Sequence, residues 1–399
     1  MKEYLKKQPL KINPMFSAEL LNKFRSTPTP FYYYNTDLLQ KTLEQASAAA
    51  KKYDIEMHYA LKANANKRIL KLIQKYGTGA DCVSVNEVLR AIECGFSADK
   101  IVFAGVGKSD EEIRTALKNS IFCFNCESIE EIAIINDIAG KEKKKASIAL
   151  RINPNVNAHT HHYITTGLEE NKFGINMWEL ENVLNALKNF TNVSLIGLHF
   201  HIGSQITDMS VYKTLCLRVN EIQQWFADRN VFVPNLNLGG GLGIDYYNPD
   251  KNAIVDFDKY FSIFRQFLKL YPGQKLHTEP GRALVAQCGS LVSKVLYVKK
   301  GIQSNFIILD AGMTELIRPA LYQSYHKIEN LTSQAKETLK YDVVGPICES
   351  SDCFGKAIDL PETQRGDILV LRSAGAYGES MALDYNLRDR AKCYLSEEL

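Results

Sequence analysis

Several short apolar runs in this chain end in residues that can do chemistry. At Tyr59-Ala60-Leu61-Lys62-Ala63-Asn64 the run from Met57 to Leu61 stops at a lysine. A lysine at the end of a buried strand points into a confined space, where desolvation disfavours the ammonium and lowers its pKa. The neutral amine is a nucleophile that forms Schiff bases with carbonyl groups. Taken alone, Lys62 is an ordinary strand-end lysine whose head snorkels to water. The other run ends change that reading. They deliver Asp81 and Ser84, then Arg151, then His199, His201, Gly203, Ser204 and Gln205. Further on come Gly239-Gly240-Gly241-Leu242-Gly243 and Glu279-Pro280-Gly281-Arg282.

Four glycines in five residues let the backbone approach an anion with its N–H groups as donors. Gly240 and Gly241 are the centre of that run, and Ser204 adds a hydroxyl donor. The run is not GxGxxG and no Walker lysine follows it, so dinucleotide and P-loop readings fit poorly. A flexible loop is the commoner use of such a run. Glu279 has a specific use: a carboxylate beside a pyridine nitrogen keeps that nitrogen protonated, so the ring accepts electron density from a carbanion. His201 can lie flat on such a ring. Outside this company Glu279 would be a capping or salt-bridging residue and His201 a satisfied core histidine. An amine that forms a Schiff base, a phosphate loop and a pyridine carboxylate together describe a site for pyridoxal 5'-phosphate (PLP).

The elements that must position these groups repeat as strand, turn and helix. Eight apolar strands are expected at 57–61, 80–83, 101–104, 121–124, 147–151, 194–200, 235–238 and 275–278. Helices fit at 66–76, 85–94, 109–118, 128–139, 179–189, 209–229 and 254–270, after a strand at Phe31–Tyr34 and a helix at 36–53. Short continuous apolar strands alternating with helices indicate a parallel sheet covered on both faces. Eight repeats give an α/β fold of the (β/α)8 TIM-barrel type, with an open doubly wound sheet as the alternative. In such a barrel the strands' C-terminal ends form the active-site mouth. After Pro280 the rhythm changes. Leu284–Lys299, Phe306–Leu309, Tyr341–Val344 and Asp367–Arg372 are strand-like, and Leu331–Lys340 is expected to be helical. The expected domains are an arm, 1–28, associated with the β domain; a barrel, 29–279; and a mainly β, barrel-like C-terminal domain, 280–399.

Bulk properties narrow the function classes. The 399 residues carry a net charge of +3, with 45% apolar and 23% charged residues. That charge is too small to point to a nucleic-acid partner. No apolar run approaches the roughly 18 residues a membrane span needs, and the basic N-terminus lacks the apolar centre of a signal peptide. Nine scattered cysteines suit a reducing cytoplasm better than a disulfide framework. Cys123 and Cys126 form a lone CxxC inside an apolar run, where cysteine serves as a small core residue, and no metal site is expected.

These segments resemble the fold-III PLP-dependent decarboxylases, the group that includes the ornithine and diaminopimelate enzymes. Tyr59 to Asn64 resembles the family's PLP-lysine motif, His199 to Gln205 its ring-stacking and phosphate segment, Gly239 to Gly243 its phosphate loop, and Glu279 to Arg282 its pyridinium and substrate segment. Arg151-Ile152-Asn153-Pro154 and Asn171-Lys172-Phe173-Gly174 are similar to family segments too. In the C-terminal domain, Arg318 to Tyr322 resembles a substrate-carboxylate segment, Cys348-Glu349-Ser350-Ser351-Asp352 a motif donated across a dimer interface, and Gly375 to Gly378 a segment whose tyrosine contacts the cofactor.

The resemblance implies cofactor contacts from Lys62, Asp81, Arg151, His201, Ser204, Gly240, Gly241, Glu279, Gly281 and Tyr377. It implies substrate contacts from Arg282, Arg318, Tyr322, Glu349 and Tyr377, with Lys62, Cys348, His201 and Glu279 as the catalytic set. Cys348 would be the proton donor, or otherwise an interface thiol. The glutamate after Cys348 marks the diaminopimelate branch, so the implied substrate is meso-diaminopimelate and the implied assembly a cytoplasmic homodimer with shared active sites. The distal carboxylate of that substrate suits Arg282 and Arg318, and its distal ammonium suits Glu349. Decarboxylases of ornithine, arginine or carboxynorspermidine, and an inactive regulator on the same fold, are the alternatives. The histidine-rich stretch His159–Tyr163 reads as an exposed loop, with a mobile cover as the rival reading.

Overall fold

The computed structural model describes residues 15–156 and 172–399. Two compact units divide the chain: one comprises Gln40–Ile244 and Ile254–Val285, the other Met1–Leu39, Asp245–Ala253 and Ala286–Leu399.

The first unit is a closed barrel of eight parallel strands. In chain order these are β2 (Ile55–Ala60), β3 (Gly79–Cys82), β4 (Ile101–Phe103), β5 (Cys123–Cys126), β6 (Ala146–Arg151), β7 (Val193–His199), β8 (Asn235–Asn237) and β9 (Lys275–Thr278). β9 closes on β2, with Met57 opposite Thr278. All eight strands and their helices lie within a few residues of the expected positions. The local chemistry explains why. Ser84, Ser109 and Ser128 each cap the helix after their strand by accepting a backbone N–H three residues on, from Glu87, Glu112 and Glu131. A hydroxyl cap with acidic residues in the first turn satisfies orphan donors and complements the helix dipole. After β3 and β5 the helix starts within three residues, so those strand ends run straight into a rigid element. Cys123 and Cys126 are both buried on β5.

The second unit is a mixed β-sheet. Its strands are β1 (Phe31–Tyr34), β10 (Gly289–Lys300), β11 (Asn305–Leu309), β12 (Ile328–Asn330), β13 (Thr338–Val344), β14 (Cys353–Pro361), β15 (Ile368–Leu371) and β16 (Lys392–Leu395). The main order is β12-β15-β10-β11-β13-β14. β1, grouped with the barrel in the sequence reading, pairs antiparallel with β10 and parallel with β16. A helix at Ala18–Ser26 packs in the same unit, where Phe16 and Phe24 join Phe31, Tyr33, Val292, Ile368 and Val370 in one apolar cluster. Phe24 meets Tyr33 edge-on at 5.1 Å, a geometry that adds about 0.5–1.5 kcal/mol beyond area burial.

Two expectations after Pro280 are corrected. Leu331–Lys340 is not a helix. Asn330 Oδ1 accepts the N–H groups of Thr332 and Ser333 at 2.9 Å each, turning the chain. The Thr338–Val344 stretch then pairs with both β11 and β14, and tertiary pairing overrides the helix propensity of Ala, Lys and Glu. Leu284–Lys299 is not one strand either: a short helical turn, Arg282–Val285, precedes β10.

Candidate active site

Lys62 sits just past β2, in a 3-10 turn at Leu61–Ala63. Its Nζ lies 3.3 Å from Asp81 Oδ2 at the end of β3, and the lysine is part-exposed while the aspartate is buried. Burial, and after it the Glu279 charge, raise the Asp81 carboxyl above the usual carboxylate range, while the Lys62 ammonium opposes them. Glu279 follows β9. Its Oε1 accepts from Asn237 Nδ2 at 2.8 Å and from Asn125 Nδ2 at 3.4 Å, and its Oε2 is 3.0 Å from His199 Nε2. Burial pushes this carboxyl up, but its contact with His199 and the nearby Lys62 charge outweigh it and hold Glu279 well below the usual range. A buried charge with this many donors stays a carboxylate at neutral pH.

His201 is driven far below the ordinary histidine range, first by burial and then by the charges of Arg151 and Lys62. Its ring is therefore neutral at neutral pH. Arg151 Nη1 donates to Glu127 Oε1 at 2.9 Å, and its guanidinium stacks 4.7 Å from the Phe173 ring centroid. Arg282 Nη2 donates to Ser204 Oγ at 3.0 Å. The glycine run is held backbone to backbone: Glu279 N donates to Gly239 O at 2.8 Å, and Ile206 N to Gly241 O at 2.9 Å. A Cβ on Gly240 would collide with the Glu279 carbonyl. Gly241, at φ +96°, adopts backbone that favours glycine. A Cβ at Gly281 would stand 3.0 Å from that of Ala60, beside the lysine turn.

In the β unit, Arg318 opens a helical turn, Arg318–Tyr322, and is buried. Its Nη1 lies 2.9 Å from both Tyr246 Oη and His326 Nε2. Tyr322 is half-buried. Cys348 and Glu349 are exposed. The turn that carries them is fixed by Asp352, whose buried carboxylate accepts from Met313 N at 2.6 Å and Ile347 N at 2.7 Å. The Cys348 N–H donates to Asn386 Oδ1 at 2.9 Å. Tyr377 occupies the left-handed region at φ +57°.

Sequence reasoning missed several charged and amide groups of the barrel. Glu127 takes Arg151, Gly105 N at 3.2 Å and Gly174 N at 2.8 Å. Lys108, its side chain 1% exposed, reaches Glu131 at 2.6 Å and the carbonyls of Gly105 and Asn125. Glu87 is pushed up to about 7, chiefly by burial. Asn125 and Asn237 sit inside strands that looked merely apolar, and their one signal is an amide in a buried run. Lower in the barrel, His58 Nε2 lies 2.9 Å from His277 Nδ1. Asn171 and His159–Tyr163 lie outside the described residues.

The barrel residues fit PLP. Glu279 Oε2 has one protein donor among the described residues, leaving an acceptor position for a ring N–H. Asp81 Oδ1 is buried without a hydrogen-bond partner among the described residues, as expected where a bound group or water completes the site. At Gly240 and Gly241 the place of a side chain is taken by the carbonyls of Glu279 and Gly203, so the run must stay bare backbone, the form in which it can face an anion.

Comparisons with known proteins agree with this chemistry. Residues 39–286 match the family described as pyridoxal-dependent decarboxylase, pyridoxal binding domain. The chain is 56% identical over 380 residues to a diaminopimelate decarboxylase of Bacteroides thetaiotaomicron, covering 95% of this chain and 98% of that one. A crystal structure of diaminopimelate decarboxylase from Helicobacter pylori complexed with L-lysine superposes with a TM-score of 0.89 at 38% identity, covering 95% and 94% of the two chains. A second lysine complex, from M. jannaschii, gives 0.86 at 34% identity over 95% and 89%.

Proposed function

The chain belongs to the pyridoxal-dependent decarboxylase family, and from that premise we propose that it converts meso-2,6-diaminopimelate to L-lysine and CO2, the last step of lysine biosynthesis. The observation that carries this reading is the end-to-end likeness to diaminopimelate decarboxylases, two of which hold L-lysine. Bound PLP supplies an electron sink for the pair left behind as the α-carboxylate departs.

Lys62 is the residue that would hold PLP covalently, and Asp81 fixes the position of its amine. Glu279 would hold the proton on the pyridine nitrogen. Neutral His201 would pack on the ring face. Gly240, Gly241 and Ser204 would hold the phosphate, with Arg151, Gly281 and Tyr377 as the further residues that would contact the cofactor. At the substrate's far end, Arg282 and Arg318 present guanidinium forks to the distal carboxylate, and Glu349 accepts from the distal ammonium. Tyr322 joins that set. The Cys348 thiol returns a proton to the carbon that lost CO2.

Cys348 and Glu349 act in the site of a second copy, so the working form is a homodimer, here assigned to the cytoplasm. Among the described residues no helix is long and apolar enough to cross a membrane. The test is a substrate panel. PLP-loaded protein is incubated separately with meso-diaminopimelate, L-ornithine and L-arginine, and CO2 and product are followed. CO2 and L-lysine from diaminopimelate alone is the expected result. Release from ornithine or arginine would overturn the roles given to Glu349 and the two arginines.

A further inference from the structure

We propose that His199 is a positioning residue: its neutral imidazole, carrying its proton on Nε2, aims the remaining lone pair of Glu279 Oε2 at the cofactor's ring nitrogen without cancelling the carboxylate's charge. This deepens the proposed PLP chemistry and rests on it.

The donor count leads there. A carboxylate accepts about four hydrogen bonds, two at each oxygen. Asn237 and Asn125 take both positions on Glu279 Oε1, at 2.8 and 3.4 Å. His199 takes one position on Oε2 at 3.0 Å. The one position left is on the oxygen that His199 holds. A carboxylate only accepts, so His199 Nε2 must carry the hydrogen of this contact. The other ring nitrogen, Nδ1, is buried with no hydrogen-bond partner among the described residues. A second ring proton would leave a buried cationic N–H unpaired, which a protein interior disfavours far more than a bare ring nitrogen.

The charge state matters for the chemistry. An imidazolium against Glu279 would complete an ion pair, and a protonated pyridine would then find its partner already neutralised. A neutral imidazole holds the same oxygen in place and leaves the negative charge for the ring. The charged groups that share this end of the barrel include Glu279, Asp81, Lys62 and Arg151, with neutral His201 beside them.

The test compares wild-type holoenzyme with His199→Ala and with His199→Gln, whose amide N–H replaces the donor but cannot titrate. Each is read by kcat, KM, the pH titration of the bound cofactor's absorption, and melting temperature. Groups that orient a catalytic ligand are typically worth about tenfold to a hundredfold. His199→Ala should lower kcat by about that factor, leave KM within about threefold, and shift the absorption titration. His199→Gln should recover most of the rate and show the wild-type pH profile. Wild-type rate and spectrum in His199→Ala would overturn the proposal. So would parallel loss of rate and melting temperature in both variants with an unmoved spectrum. Nitrogen-15 NMR of wild-type histidines, assigned by difference against His199→Gln, should show a neutral ring at neutral pH, and a cationic ring would overturn the proposal even in an active enzyme. Failure of the wild-type protein to take up PLP would instead remove the functional reading on which the proposal rests.

Discussion

The barrel mouth and the turn at 345–352 use buried carboxylates in opposite ways. In the mouth, Glu279 is the group to which we assign the cofactor's ring nitrogen. Three side-chain donors hold it, and it is kept charged and buried. In the turn, the buried carboxylate is Asp352, which takes two backbone N–H groups. The residues it serves, Cys348 and Glu349, are exposed. One region has its charge arranged before anything binds, as catalysis by fixed dipoles requires. The other has a fixed backbone that leaves the side chains of Cys348 and Glu349 exposed. The contrast supports the proposal of a resident group at the mouth and of a substrate or second copy at the turn.

The largest effect expected from breaking this contrast is at Lys62. Lys62→Ala should remove the protein-linked cofactor absorption and lower kcat by roughly a thousandfold or more. An intact band with intact activity would contradict the assignment. Much of that site was legible in the sequence because each barrel strand is a short apolar run, so the first polar residue after it marks the mouth. Lys62, His201 and Glu279 were visible on that ground. Glu127 and Lys108 were not, because their partners come from other strands and turns, and nothing local in the sequence announces a pairing across some twenty residues.

The β unit was less legible for a related reason. β14 runs CFGKAIDLP with most positions part-exposed or exposed, so it lacks the clean alternation that marks a half-buried strand. Its residue Ala357 also takes the left-handed conformation, at φ +53°. Asp352, in a motif read mainly for its cysteine and glutamate, turned out to be the residue that shapes the turn.

Next in size is Arg318→Lys. An ammonium cannot reproduce a planar fork, so kcat/KM for diaminopimelate should fall about tenfold to a hundredfold while cofactor retention is unchanged. A matching loss of PLP affinity would blur the contrast between the regions. Asp352→Ala should cost roughly 1–3 kcal/mol of stability by stranding the buried Ile347 N–H and the part-buried Met313 N–H, measured by denaturant unfolding. A smaller loss would mean that the turn holds its shape without the carboxylate.

The smallest effect concerns the histidine pair lower in the barrel. His277 is pushed down to about 4 from 6.5, first by burial and then by His58. Between those values the unfolded chain takes up a proton that the folded chain refuses. The contribution is therefore complete above pH 6.5 and lost as pH falls toward about 4. The loss is at most about 3 kcal/mol, smaller if the two rings share a proton. His277→Asn should flatten the fall in melting temperature over that window, and an unchanged slope would assign the acid sensitivity elsewhere.

The most direct measurement pairs two readouts on one variant. Glu349→Ala should retain PLP at wild-type affinity by equilibrium dialysis, yet lose at least about tenfold of its preference for meso-diaminopimelate over L-ornithine, expressed as the ratio of kcat/KM values. That result would place cofactor chemistry in the mouth and substrate reading in the turn. Equal loss of cofactor binding and substrate preference, or loss of neither, would contradict the division of labour between the two regions.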